Sequence, residues 1–207
     1  MSSKRRVTSA GAVVLIATAG LAGNAGTAHA ETTLKVNYPV TGTTFVKATD
    51  STMELGPGTL KAALVLETGD LTASLELPQA TSQFKQFGVI PVSAKISFIE
   101  ASPTTGRADP QTGAVKTTSK VTLKLSDLRV AGIWTPVGSG CQTESPAVIT
   151  VASGSDWTVL GGGTLSGTYT IPKFEHCLLA TPLINITVPG EGNTIKLKLG
   201  PATFPGS

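Results

Sequence analysis

The feature of this chain that most constrains its fold is an alternation of apolar and polar residues. It is cleanest where two runs of alternate apolar positions flank a Gly69-Asp70 pair, namely Leu60, Ala62, Leu64, Leu66, Leu71, Ala73, Leu75 and Leu77. A period of two residues is that of a β-strand with one buried face, and glycine followed by aspartate suits the tight turn between two strands. The stretch therefore predicts a β-hairpin.

Similar rows recur along the rest of the chain. Apolar alternation resumes near Leu34, Ile90, Val115, Leu165 and Ile195, and the chain has 23 glycines and 13 prolines, many of them between the rows. Thr181-Pro182 is an N-cap followed by a good first helical residue, which predicts a short helix through about Ile186. About nine short strands with one brief helix predict an all-β fold, an antiparallel β-sandwich of immunoglobulin-like or similar type.

Three stretches interrupt the alternation and predict turns or loops. Residues 56–58 are Gly-Pro-Gly, residues 79–88 lack a clear period, and residues 102–113 are rich in Thr, Pro and Gly. The last of these fits a long hairpin loop. Near Asp127 the apolar parity slips by one residue, which predicts a bulge, or a corner where the strand crosses between sheets.

The N-terminus has the three parts of a secretory signal peptide. Basic residues 4–6 precede an apolar run over residues 7–21, and the Ala-His-Ala triplet at 28–30 offers a cleavage site. The apolar run is too short and too rich in glycine to span the ~30 Å of hydrocarbon in a bilayer. We therefore expect a signal peptide over residues 1–30 and a single β-sandwich domain over residues 31–207. The product would be secreted, extracellular or associated with the cell wall, without a stable membrane anchor.

Charge argues against nucleic acid as a partner. The whole chain has a formal net charge of +3, but three of its 16 basic residues lie in the predicted signal peptide, and the other 13 are matched by 13 acidic residues. A neutral exported protein has no overall field that would draw it to nucleic acid or to an anionic membrane. Such partners would need a local patch of charge.

Cys141 and Cys177 are the only two cysteines of the chain. In an exported protein such a pair is most simply a disulfide. The loop it would close holds two predicted strands, at residues 147–151 and 164–171, so the bridge would tie together two segments of one sheet system. In the chain-entropy model, closing a loop of this length stabilises the fold by about 4 kcal/mol.

Four short motifs are spread over the chain after residue 30. They are Tyr-Pro-Val-Thr-Gly-Thr at 38–43, Gly-Pro-Gly-Thr-Leu at 56–60, Gly-Thr-Leu-Ser-Gly-Thr-Tyr at 163–169, and Thr-Pro-Leu-Ile-Asn at 181–185 before a turn at 190–193. With them the chain resembles small secreted proteins of high-GC actinobacteria that have no assigned function. The resemblance implies export and an all-β fold with one disulfide. It implies no particular activity and carries no functional residue.

Residues suited to catalysis or metal binding are sparse. His176 is the only histidine after residue 30, and it stands between Glu175 and Cys177, a set that would suit a metal only if the thiol were free. No Gly-x-Ser-x-Gly motif occurs, and the carboxylates are scattered without a calcium-binding pattern. The sequence predicts no enzyme, no metal site and no cofactor.

A row of lysines is the strongest feature outside the predicted core. Three share one face of a predicted strand near residue 120, two more lie on the final strand and one on the first, namely Lys116, Lys120, Lys124, Lys196, Lys198 and Lys35. If these strands are neighbours, the lysines form a positive face. Such a face is either a solvated surface that protects a sheet edge from aggregation or a site for an anionic cell-wall polymer.

These features lead us to expect a secreted noncatalytic protein of the envelope or extracellular space, acting as a binding or structural module. The alternative is a carrier of an apolar or lipid ligand between the two sheets, because alanine and glycine on the inward rows would leave the core underfilled. An outer-membrane β-barrel and a hydrolase have the least support, since aromatic girdles and catalytic groups are missing.

Overall fold

The computed structural model describes residues 31–205, so the predicted signal peptide lies outside the described residues. Over these residues the fold is all-β with one short α-helix, as predicted. In chain order the elements are β1 (Thr33–Val46), β2 (Ser51–Val65), β3 (Asp70–Glu76), β4 (Ala80–Gln86), β5 (Ile90–Ala108), β6 (Val115–Val130), β7 (Ile133–Trp134), β8 (Gln142–Thr143), β9 (Ala147–Ser153), β10 (Gly163–Ile171), β11 (Phe174–Glu175), α1 (Thr181–Thr187) and β12 (Gly190–Leu199). Single turns of 3-10 helix stand at Lys47–Thr49 and Leu178–Ala180.

Eight of these strands close into an antiparallel barrel. Their order around the barrel is β6-β9-β10-β12-β1-β2-β3-β5, and β5 pairs with β6 to complete the circle. The predicted β-sandwich is therefore wrong. An alternating row shows only that one face of a strand is buried, and a barrel satisfies that condition as well as two stacked sheets do. The long pairing of β5 with β6 joins the edges that a sandwich would have left open.

Two stretches predicted as loops lie largely in strands. The second of them extends β5 to a length of 19 residues. Residues 79–88 contain β4, which pairs with the first half of β5. Residues 102–113 begin inside β5, which continues to Ala108 and there pairs with β3. Their loop-like composition is tolerated because register shifts after Glu100 and after Ser102 mark bulges, which take up residues that do not fit a regular ladder.

Two further irregularities lie within strands. The Gly-Pro-Gly stretch at 56–58 was predicted as a turn, but it lies inside β2, where the pairing with β1 shifts register. The bulge predicted near Asp127 is confirmed: Ser93 pairs with Arg129 whereas Lys95 pairs with Ser126, so β6 carries one extra residue. Asp127 itself has a φ of 50°.

The predicted disulfide between Cys141 and Cys177 is confirmed, and both residues are fully buried. Cys141 directly precedes β8 and Cys177 follows β11 by one residue, and these two short strands pair with each other. The bridge thus holds the segment that leads into α1 against the segment that runs beside β6. Helix α1 confirms the helix predicted from Thr181-Pro182, although its N-cap is Ala180 and Thr181 is its first residue. Ile184 of the helix is buried. A disulfide is compatible with an extracellular location.

The apolar rows point into the barrel, and the polar rows point outward. Helix α1 covers one end of the lumen, which we call the helix-capped end; the turns at 87–89 and 131–132 lie there too. Turns at 66–69 and 109–114 lie at the opposite end. Within residues 31–205, no helix has the length and apolar character needed to cross a bilayer.

Candidate functional site

The outer side of four neighbouring strands, β6, β9, β10 and β12, is composed almost entirely of lysine and threonine. We call it the lysine–threonine face. Its outward residues are Lys116, Thr118, Lys120, Thr122, Lys124, Val148, Thr150, Ala152, Thr164, Ser166, Thr168, Thr170, Thr194, Lys196 and Lys198. These residues include five lysines and seven threonines but no carboxylate.

Strand register fixes how the lysines lie relative to one another. Lys116 pairs with Ala152, Ala152 with Ser166, and Ser166 with Lys196, so the two lysines share one row across the face. Three strand spacings separate them, about 14 Å. Lys120 follows Lys116 at about 13 Å along β6.

The predicted positive face therefore exists in a form that the sequence did not indicate. Strands β6 and β12 are not neighbours, because the threonine-bearing strands β9 and β10 lie between them. Lys35 is not part of the face: it lies on β1 opposite Ala63 of β2. Arg107 of β5 lies beside Lys116 in register, and sequence reasoning missed it because it falls in a stretch predicted as a loop.

Little negative charge lies close to the five lysines. None of them forms an ion pair in the described part of the chain, whereas Lys61 lies 2.6 Å from Glu76 and Lys95 lies 3.3 Å from Asp127 elsewhere on the barrel. Asp156, at the margin of the face, is directed at Thr164, whose hydroxyl lies 2.7 Å from Asp156 Oδ2. Hydrogen bonds from the Thr164 hydroxyl and then from its backbone N–H lower the pKa of Asp156, and Lys196 makes the smallest contribution.

A row of threonines crosses the middle of the face, one on each strand. Thr118 pairs with Thr150, Thr150 with Thr168, and Thr168 with Thr194. The hydroxyl oxygens of Thr118 and Thr150 lie 3.0 Å apart. Each hydroxyl can donate one hydrogen bond and accept others, so the row can bind the oxygens of sugars or phosphates. The row is visible only once the register is known.

The lumen contains cavities, but they are small. Three of them follow one another, with volumes of about 70, 70 and 50 Å³, and adjacent ones share lining residues such as Tyr169 and Leu197. Small-molecule sites usually have about 300 Å³ or more. The carrier hypothesis placed a ligand between two sheets, and the barrel replaces that slot with a lumen that its own side chains largely fill.

Partly buried polar groups of the barrel wall satisfy one another. Thr104 and Ser119 lie 2.7 Å apart, and the Ser74 hydroxyl donates to Glu100 Oε2 at 2.7 Å. Among the described residues, no buried side-chain nitrogen or oxygen lacks a hydrogen-bond partner. These groups are occupied in holding strands together.

The structure places His176 on the surface, where its Nε2 lies 3.6 Å from Glu175 Oε1. The neighbouring thiol of Cys177 is part of the disulfide and so offers no thiolate to a metal. No cluster of three His, Cys, Asp or Glu side chains suited to a metal ion occurs within residues 31–205.

Comparisons with known proteins suggest no function, so a proposal must rest on the observations above. No protein-family model, curated protein or solved structure matches the chain. The lysine–threonine face is the surface whose chemistry points to a ligand class, and the filled lumen limits what else the barrel can hold.

Proposed function

We propose that this chain is a secreted, noncatalytic binding module whose lysine–threonine face holds an anionic polymer of the cell wall. The observation that carries the proposal is that four adjacent strands present five unpaired lysines and no carboxylate. A merely solvated sheet surface normally mixes both signs of charge.

The spacing of the lysines suits an extended ligand better than a small one. Lys116 lies about 13 Å from Lys120 and about 14 Å from Lys196, too far for one phosphate or carboxylate to bridge, whereas Lys196 and Lys198 lie about 7 Å apart along β12. A polymer with a repeating negative charge can contact several lysines in turn, and many weak contacts then add to a useful affinity. The threonine hydroxyls between the lysines would bind the uncharged oxygens of the same polymer.

Secretion and the lack of catalysis are parts of the same proposal. The predicted signal peptide supports export, and the disulfide is compatible with it. The small lumen cavities favour a surface site over carriage of a lipid inside the barrel. The outward rows of Lys and Thr also differ from the apolar band that a barrel turns toward lipid.

The test is binding of the purified protein to immobilised linear polyphosphate and to isolated cell walls. We expect retention at low salt and release at about 0.5 M salt, where charges are screened within a few ångströms. The triple variant Lys116→Gln, Lys120→Gln, Lys196→Gln should reduce retention at least about tenfold.

A matched control removes the same amount of charge elsewhere. The triple variant Lys35→Gln, Lys47→Gln, Lys173→Gln should keep most of the retention, and both variants should melt at the temperature of the parent protein. Equal losses in the two variants would mean that net charge, and not this face, is responsible, and the proposal would then fail.

A further inference from the structure

The helix-capped end of the barrel exposes a ring of large apolar side chains, which we call the apolar ring. Its members are exposed by between 37 % for Leu183 and 99 % for Leu179; in full they are Phe87, Val89, Ile133, Trp134, Leu178, Leu179, Leu183 and Ile186. Single exposed apolar residues are ordinary, but a group of this size at one end of a molecule usually marks an interaction surface.

Hydrogen bonds and a close contact join the segments that carry the members of the ring. The turn that bears Phe87 is joined to the turn before Ile133, because Ala131 N donates to Pro91 O at 2.8 Å. The same β4 end is joined to α1, where Gln86 Nε2 donates to Thr187 Oγ1 at 3.0 Å. Leu178 lies against the loop that follows β7, at Gly138.

Phe87, in the turn at 87–89, has a backbone conformation that is more strained for phenylalanine than for glycine or asparagine. Phe87 has a φ of 51°, in the left-handed region that glycine and asparagine adopt most easily. Its side chain is 73 % exposed, so no contact with the core accounts for it. A phenylalanine at such a position is better explained by what it contacts outside the molecule.

Positive charge borders the ring. The three segments that supply it, residues 85–91, 128–140 and 178–190, contain Lys85 and Arg129 and no acidic residue. Arg129 lies 3.6 Å from Asp127, but that carboxylate is shared with Lys95 at 3.3 Å, which leaves a positive excess.

The acidic residues nearest the ring are accompanied by basic ones. Glu175 lies 3.6 Å from His176. Asp50 lines a groove together with Lys85, Phe87 and Ile186, and its backbone N–H donates to Lys47 O. Glu191 directly precedes Gly192, which lies close to the Lys47 side chain. The turns and loops of the opposite end carry Glu67, Asp109 and Asp156.

We infer that the apolar ring docks on the surface of a bilayer that contains anionic lipid. Phe87, Ile133 and Trp134 would lie at the level of the headgroups, where aromatic and aliphatic tips gain apolar contacts without crossing the membrane. Lys85 and Arg129 would meet the anionic headgroups. Separate, highly exposed tips fit a fluid interface better than the matched flat surface that a second copy of the chain would require.

The test uses the chain from Glu31, which contains every strand of the barrel, and vesicles of phosphatidylglycerol mixed with phosphatidylcholine. We expect co-sedimentation with these vesicles, weaker association with phosphatidylcholine alone, and quenching of Trp134 fluorescence by brominated lipid. Trp157 is the internal control because it lies at the opposite end of the barrel, where its ring packs on Tyr38 and its Nε1 donates to Gly113 O. Quenching confined to Trp157 would overturn the inference.

Variants separate this surface from alternatives. Phe87→Ser with Ile133→Ser should weaken vesicle binding at least about tenfold. Leu66→Ser with Leu160→Ser changes residues that are 51 % and 59 % exposed away from the ring and should have little effect. The triple variant at Lys116, Lys120 and Lys196 should retain Trp134 quenching, which distinguishes docking by the ring from adhesion by the lysine–threonine face.

Two results would contradict the inference outright. The first is no association with either vesicle composition while circular dichroism shows a folded β protein. The second is a dimer in solution that Phe87→Ser with Ile133→Ser converts to a monomer, because the ring would then be an interface between two copies of the chain.

Discussion

The hydroxyl groups of Thr44 and Tyr169 lie 2.7 Å apart inside the barrel, although 125 residues separate them in the chain. Thr44 is on β1 and Tyr169 on β10, the two strands on either side of β12. The Thr44 hydroxyl also donates to Thr194 O at 2.9 Å, so its single proton is engaged and Tyr169 is the donor of the pair. The bond therefore spans three strands of the barrel wall.

Replacing Tyr169 by Phe should remove this link without removing the ring from the core. We expect the free energy of unfolding to fall by about 1 kcal/mol, the usual net value of one intramolecular hydrogen bond. Urea unfolding of the two proteins measures the difference. In the Thr44→Val background Tyr169→Phe should cost less than it does in the parent protein, because the partners are coupled; equal losses in the two backgrounds would contradict the bond.

The same tyrosine should make the protein sensitive to alkali. Burial raises the pKa of Tyr169 above its ordinary value of 10.0, with a smaller opposite effect of the hydrogen bond to Thr44. The folded state therefore holds the phenolic proton more tightly than the unfolded state does. The resulting stability is complete below pH 10 and is lost as pH rises through the higher pKa of the folded protein.

We expect the free energy of unfolding to decline less steeply above about pH 10 in Tyr169→Phe than in the parent protein. The two proteins differ in no other ionisable group, so the difference between them reports on Tyr169. Some decline with pH should remain in Tyr169→Phe because the pKa of Tyr38 is also raised by burial. Identical slopes in urea titrations at pH 8 and pH 11 would count against a buried, neutral Tyr169.

Removing the disulfide should weaken the protein markedly. Cys141 and Cys177 are 36 residues apart and fully buried, and they hold the segment before α1 in place. Changing both to serine should lower the free energy of unfolding by about 2–5 kcal/mol. Reduction of the parent protein should reproduce the effect. Labelling of either cysteine by an alkylating reagent in the folded, unreduced protein would contradict the bond.

Local features were predictable from the sequence because they depend on neighbours along the chain. The hairpin of β2 and β3 was predictable, although its turn spans residues 66–69 and Asp70 already belongs to β3. The bulge near Asp127 follows from periodicity, and the helix that begins at Thr181 follows from the proline in its first turn. The disulfide followed from the count of cysteines and the predicted export. Closure into a barrel depends instead on β1 pairing with β12 and on β5 pairing with β6 over long stretches, and no local pattern records those registers.

The candidate site was also only partly predictable from the sequence. Alternation placed Lys116, Lys120 and Lys124 on one face of a strand, but the threonine row between β6 and β12 exists only once four strands are in register. The apolar ring was missed because Phe87 lies in a stretch predicted as a loop, where hydrophobic residues carry no periodic signal. Both surfaces are products of the strand order.

The centre of the lysine–threonine face depends on a glycine in β10. Gly167 pairs with Val151 of β9, and a Cβ at Gly167 would collide with the backbone oxygen of Thr150. Gly167→Ala should push β10 away from β9 and lower the free energy of unfolding by about 1–3 kcal/mol, the usual cost of overpacking. Urea unfolding would measure it.

Gly140→Ala is the matched control, since the nearest atom to a Cβ there is His176 Cβ at 3.4 Å. That variant should stay within about 0.5 kcal/mol of the parent protein. Because Thr150 and Thr168 flank the collision, Gly167→Ala should also weaken retention on polyphosphate under conditions where the variant remains folded, whereas Gly140→Ala should not. Full retention by a folded but destabilised Gly167→Ala would show that the lysines bind the polymer without the threonine row between them.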